Sequence, residues 1–136
     1  MRSILLCLML IMTSCNSDDD SLNVNLNGSW TMSNISGGFL GIDTNFEPGQ
    51  IIWTFDAERQ ILIVDNSLEE DTTVIISGFV SGNYEYYTTT EEETDFLYVE
   101  NSKFGMYYIN SNNLVIDQNT GSDGFLFTLE YYSSEN

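Results

Sequence analysis

The chain has 136 residues, enough for one domain, and carries 3 Lys and Arg against 21 Asp and Glu, for a formal net charge of −18. That balance excludes a nucleic-acid binder, which needs a basic footprint, and the complete absence of His removes the commonest general base and metal ligand. A hydrophobic fraction of 42%, with 13% aromatic residues, is nevertheless enough to build a folded core.

In chain order, Arg2 supplies a positive flank and residues 4–12 an uncharged apolar run. The run is too short for a transmembrane helix, which needs about 20 residues. Met12-Thr13-Ser14-Cys15 follows. This resembles a bacterial lipobox, in which the Cys is acylated and becomes the new N-terminus; Met12 stands where that pattern usually has Leu. The resemblance implies a signal peptide over 1–14 and a lipidated Cys15, with acyl chains such as palmitate holding the protein on a membrane. Each buried CH₂ of such a chain contributes about 0.8 kcal/mol. The other Cys, Cys7, falls in the removed segment, so the mature chain has neither a disulfide nor a thiolate site. Loss of Arg2 leaves Arg59 and Lys103 against the same 21 acids, a mature charge of −19. Asn16-Ser17-Asp18-Asp19-Asp20-Ser21 resembles the acidic tag that sends lipoproteins of some Gram-negative bacteria to the cell surface. The expectation is a lipidated Cys and acidic tether over 15–22, on a bacterial outer membrane and exposed to the outside. Asp20-Ser21-Leu22 and Asp71-Thr72-Thr73 also resemble an O-glycosylation acceptor found in such bacteria.

The domain proper is expected over 23–133. Its signal is period-two alternation in short runs bounded by Gly, Asn, Asp and Ser. Strands are predicted near 28–35, 50–55, 61–65, 73–77, 83–89, 95–100, 104–110, 114–118 and 124–132. Ile51, Trp53 and Phe55 share one face; Phe125, Phe127, Leu129 and Tyr131 share another. Short connections at 56–60, 101–103 and 111–113 are rich in residues that tolerate tight turns. The fold class is therefore all-β: an up-and-down antiparallel meander of about eight strands, closed into a barrel because closure removes its two edges. Segments 36–49 and 65–72 are expected as rim loops. The first carries Phe39, Leu40, Ile42 and Phe46 among glycines, and is expected to plug one barrel end or to hinge over it as an apolar lid.

Asn25-Leu26-Asn27-Gly28-Ser29-Trp30 places a Gly-x-Trp at the start of the first strand. With Ile52-Trp53-Thr54-Phe55, a Tyr-rich middle and a closing Asp123-Gly124-Phe125-Leu126-Phe127, the chain resembles small bacterial lipocalin-like lipoproteins over nearly all of 25–132. The resemblance implies a barrel whose floor is filled by Trp30. In the lipocalin family an Arg near the last strand packs over this Trp; here no Arg follows Arg59.

Catalytic constellations are missing. There is no Ser-His-Asp set, Cys-His pair or phosphate-binding Gly loop. Glu69-Glu70-Asp71 and Glu91-Glu92-Glu93 read as solvated loop charge rather than as the paired carboxylates of a glycosidase. Asp117-Gln118-Asn119-Thr120-Gly121-Ser122-Asp123-Gly124 has the oxygen spacing of a calcium loop but lacks its closing Glu, and reads as a hairpin loop. No enzymatic activity, metal or cofactor is expected. The leading expectation is a small apolar or amphipathic ligand held by Trp30, Phe39, Trp53, Phe55, Tyr86, Tyr98 and Phe127. The alternative is a filled barrel whose acidic surface recognises a basic protein or peptide. Which of the two holds turns on whether the barrel is hollow, and an eight-stranded barrel has room for side chains or for one small ligand.

Overall fold

Alternation along each strand decides which side chains meet inside. In the computed structural model, which describes residues 25–68 and 78–133, nine strands form in chain order. They are β1 (Gly28–Gly37), β2 (Ile42–Asn45), β3 (Ile51–Asp56), β4 (Ile61–Asn66), β5 (Gly82–Glu91), β6 (Thr94–Val99), β7 (Ser102–Asn110), β8 (Asn113–Asp117) and β9 (Phe125–Tyr131). The expected signal peptide, Cys15, the acidic tether, the strand at 73–77 and both glycosylation motifs lie outside the described residues.

All neighbours pair antiparallel, in the order β2-β1-β3-β4-β5-β6-β7-β8-β9, and β1 also pairs with β9. Eight strands thus close a barrel, with β2 as one extra strand. The architecture is compatible with a lipocalin-like fold. Short β-turns make the meander. Val99 faces Ser102 across Glu100 and Asn101, both at positive φ. Glu91 faces Thr94 across Glu92 and Glu93, again both at positive φ. Two glutamates in the left-handed region are unusual, since each strains a Cβ that Gly or Asn would spare.

Segment 36–49 is not a loop folded over a barrel end. It is the β1–β2 hairpin, closed by a turn at residues 38–41 in which Gly41 N–H donates to Gly38 C=O at 3.0 Å. Phe39 and Leu40 sit at its tip, 86% and 82% exposed. The strand was hidden because Ile42-Asp43-Thr44-Asn45 has only one apolar residue, and its support comes from backbone pairing with residues 34–37 of β1. β2 and β3 lie end to end along the same edge of β1, which pairs with β3 through residues 28–31. Between them, Glu47-Pro48-Gly49-Gln50 forms a turn with Gln50 N–H on Glu47 C=O at 3.1 Å. Pro48 sets its second residue, and Gly49, at φ 87, supplies the positive φ that this turn type demands.

Among the described residues the interior is packed with side chains. Met32, Ile35, Trp53, Phe55, Leu62, Leu97, Leu114, Ile116, Phe127 and Leu129 are all 1% exposed or less. One end of the barrel holds Trp30, the chain's entry at residue 25 and the turns at 57–60, 92–93 and 111–112; the other holds Phe104 and the loops before β5 and β9. At the first end Trp30 is buried and its indole N–H donates to Leu26 C=O at 2.9 Å. Tyr131 packs edge-on against it at 5.5 Å. In this chain, then, an aromatic ring and not an Arg lies over the Trp. Gly28, at φ 124, makes room for it: a Cβ there would stand 3.2 Å from the Tyr131 ring.

Candidate functional site

The Phe104 end is built from aromatic rings. Trp53 comes from β3 and Phe127 from β9, both pointing inward by strand alternation. Phe104 reaches the same cluster through a β-bulge. Leu97 faces Gly105 but Tyr98 faces Lys103, so Phe104 is the extra residue of β7. Gly105 is required at this point, because a Cβ there would come within 2.7 Å of Asp117 C=O. Phe79 is set by the buried Asn66. Its Nδ2 donates to Phe79 C=O at 3.1 Å, and its Oδ1 accepts from Leu68 N–H at 2.9 Å. One side chain therefore holds both described flanks of the 67–81 connection.

Around Trp53 stand Phe79 at 5.4 Å, Phe104 at 5.7 Å, Phe127 at 6.0 Å and Phe55 at 6.5 Å between ring centroids. Edge-to-face and tilted pairs at these distances are the favoured aromatic geometry. Above the cluster opens a depression of about 460 Å³ lined by Gly78, Phe79, Val99, Phe104, Phe125 and Phe127, with Glu100, Ser102, Lys103 and Gln118 at its polar side. A second depression, of about 480 Å³, shares Lys103, Phe104 and Gln118 and continues over Phe96 and Met106 on the outer face. Lys103 thus borders both. Its Nζ lies 3.3 Å from the Phe96 ring centroid and 3.8 Å from Glu91, a cation held mainly against an aromatic face. Behind the rings, the Trp53 indole N–H is buried and has no hydrogen-bond partner among the described residues.

Of the residues expected to line a site, the structure brings together Trp30, Trp53, Phe55, Tyr86 and Phe127. Trp30 faces Trp53 across β1 and β3, and Phe55 meets Tyr86 at 5.1 Å. Tyr98 points outward and stacks on Tyr87 at 4.7 Å, nearly parallel. Phe39 is on the exposed hairpin tip, apart from the others. The residues missed by sequence reasoning are Phe79, Phe104, Phe125 and Asn66. Phe125 was legible on the inward face of β9. Phe104 was not, because simple alternation puts it with Met106 and Tyr108, and only the Gly that follows it signals a bulge.

Towards the opposite end the buried titratable groups are hydroxyls. Burial raises the Tyr107 hydroxyl above its ordinary value, the Asp95 carboxylate raises it further, and a hydrogen bond with Thr88 partly offsets both. Burial likewise raises Tyr86, helped by the Asp56 charge. Asp56 itself is lowered by hydrogen bonds from Arg59, first from its backbone N–H and then from its side chain at 2.6 Å. In the 117–124 loop, Asp117 Oδ1 accepts the Thr120 N–H at 2.8 Å and holds the Thr120–Ser122 turn. Among the described residues no group of three Asp, Glu, His or Cys side chains could hold a metal ion. Comparison with protein-family models, curated proteins and solved structures finds no match to this chain.

Proposed function

We propose that this chain is a lipid-anchored cell-envelope protein with a lipocalin-like barrel. Its ligand is a small apolar or amphipathic molecule taken at the Phe104 end. The observation that carries this reading is the half-buried Phe79, Phe104 and Phe125 around an open depression of about 460 Å³. A rigid aromatic wall can remove apolar ligand surface from water at about 25 cal/mol per Å² without first ordering side chains. The packed interior makes this a shallow site and not a central cup, so the ligand rests on the Phe79, Phe104 and Phe125 rings that cover the buried Trp53. The anchor of the proposed arrangement is Cys15, acylated at the outer membrane and joined through the tether to the closed Trp30 end.

Native mass spectrometry of protein purified from its own membranes tests the proposal. A reproducible adduct, lost on denaturation and lost in Phe104→Ala, is the expected result. A bare mass beyond the lipid on Cys15, together with no fluorescence response to fatty acids or sterols, would overturn it. A second reading is favoured by the filled interior: an acidic protein that recognises a basic partner, drawn in by a charge of −18. Its binding would collapse with added salt.

A further inference from the structure

Barrel closure should leave no strand edge unpaired, yet β5 outruns its neighbour. β4 pairs with β5 only from Ile61↔Glu85 to Val64↔Gly82, and the last bond across that seam is Tyr86 N–H to Gln60 C=O at 3.0 Å. On its other side β5 continues to pair with β6 as far as Glu91↔Thr94. Among the described residues no strand pairs with the outer edge of 87–91. The direction of the backbone groups follows from alternation. Glu85 C=O accepts from Glu100 N–H on the β6 side, whereas Tyr86 N–H points to the β4 side. The N–H and C=O of Thr88 and Thr90 therefore point to the open edge.

The charges around this edge have one sign. Glu91, Glu92 and Glu93 form its tip and Glu58 lies in the adjacent turn. The two cations nearby are already engaged: Arg59 with Asp56 at 2.6 Å, and Lys103 with the Phe96 ring and Glu91. Where the seam opens, a depression of about 290 Å³ is lined by Gln60, Ile61, Glu85, Tyr86 and Tyr87 with Arg59 and Asn101. We infer that residues 87–91 of β5 accept an extended basic segment of a partner polypeptide as an added strand. This rests on the second reading above and gives it a surface. Main-chain bonds to Thr88 and Thr90 would supply affinity, while the glutamates select positive side chains. A second copy of this chain is the poorer occupant, because edge-to-edge pairing would set the acidic side chains of one copy against those of the other.

The probe is a synthetic peptide of alternating lysine and valine, titrated into the full chain. Its counterpart carries N-methyl groups on alternate amides, which blocks strand pairing and leaves the charge intact. The expected result is binding that weakens with salt, and that falls about tenfold or more for the N-methylated peptide, the loss of two net hydrogen bonds. Thr88→Pro should cause the same loss. It removes an N–H that faces outward, a change an edge strand tolerates. Should the native chain bind both peptides equally, the strand-addition inference is overturned and the basic-partner reading stands. Absence of binding by either peptide overturns both. Self-association of the native chain that Thr88→Pro abolishes would make the occupant a second copy and overturn the basic segment.

Discussion

The two ends of this barrel use the same residue types to opposite effect. At the Phe104 end, Trp53, Phe79, Phe104 and Phe127 converge in one cluster under an open depression. Towards the other end β5 and β6 run on beyond β4. Tyr86 and Tyr107 are buried there, but Tyr87 stacks on Tyr98 outside the barrel and is 37% exposed. Strand parity decides which of these rings is core: Tyr86 and Tyr107 face inward, whereas Tyr87 and Tyr98 fall on the outward side of β5 and β6. The early stop of β4 then leaves the backbone of 87–91 unpaired beside the outward pair.

The comparison breaks most visibly at Trp53. Trp53→Ala should cost about 3–5 kcal/mol, the usual penalty for truncating a buried large aromatic, read as a fall in the urea midpoint without change of slope. A cost of less than about 1 kcal/mol would mean that the ring cluster is not the core of that end.

Next comes the bulge that swings Phe104 inward. Gly105→Ala would press a methyl against Asp117 C=O and should cost about 1–3 kcal/mol through overpacking. It should also weaken any ligand bound at the Phe104 end, because the Phe104 ring can no longer hold its place. Equilibrium denaturation and ligand titration on the same variant separate the two effects.

The smallest effect belongs to the opposite end and depends on pH. Tyr86 and Tyr107 have raised hydroxyl pKa values, from burial first and from Asp56 and Asp95 second. Below pH about 10 both the folded and unfolded chains keep these protons, so the contribution is constant. Above it the unfolded chain ionises first, the folded chain binds more protons, and stability falls as pH rises towards the folded values. Denaturation curves from about pH 9 to about pH 12 should show this decline. The double variant Tyr86→Phe, Tyr107→Phe should remove the part of it due to these two groups.

Sequence alternation located the barrel strands well because each buries one face. Ile51, Trp53 and Phe55 in β3, and Phe127 and Leu129 in β9, all lie where period two puts them. β2 escaped notice because a strand with a single apolar residue has no alternation to detect. Phe104 was not legible as an inward ring, because simple alternation places it opposite Gly105 and Tyr107, and one extra residue in β7 is what turns it in. Of the expected ligand wall, Trp53 and Phe127 now underlie a depression whose rim is Phe79, Phe104 and Phe125, while Phe39 stands exposed on a hairpin. That segment's glycines serve the turn and the approach to β9, where Gly38 N–H meets Gly124 C=O at 3.0 Å.

By itself the sequence determined an acidic, all-β chain, its strand faces and its tight turns, since these depend on charge count, local conformational preference and the two-residue repeat. It left open whether aromatic rings fill the interior or line a cavity in it. Only the tertiary structure decided the rest: that β2 lies as an extra strand along β1, that β4 stops short of β5, and that a bulge turns Phe104 inward. These depend on register between segments, set by which pairings bury the most apolar surface together.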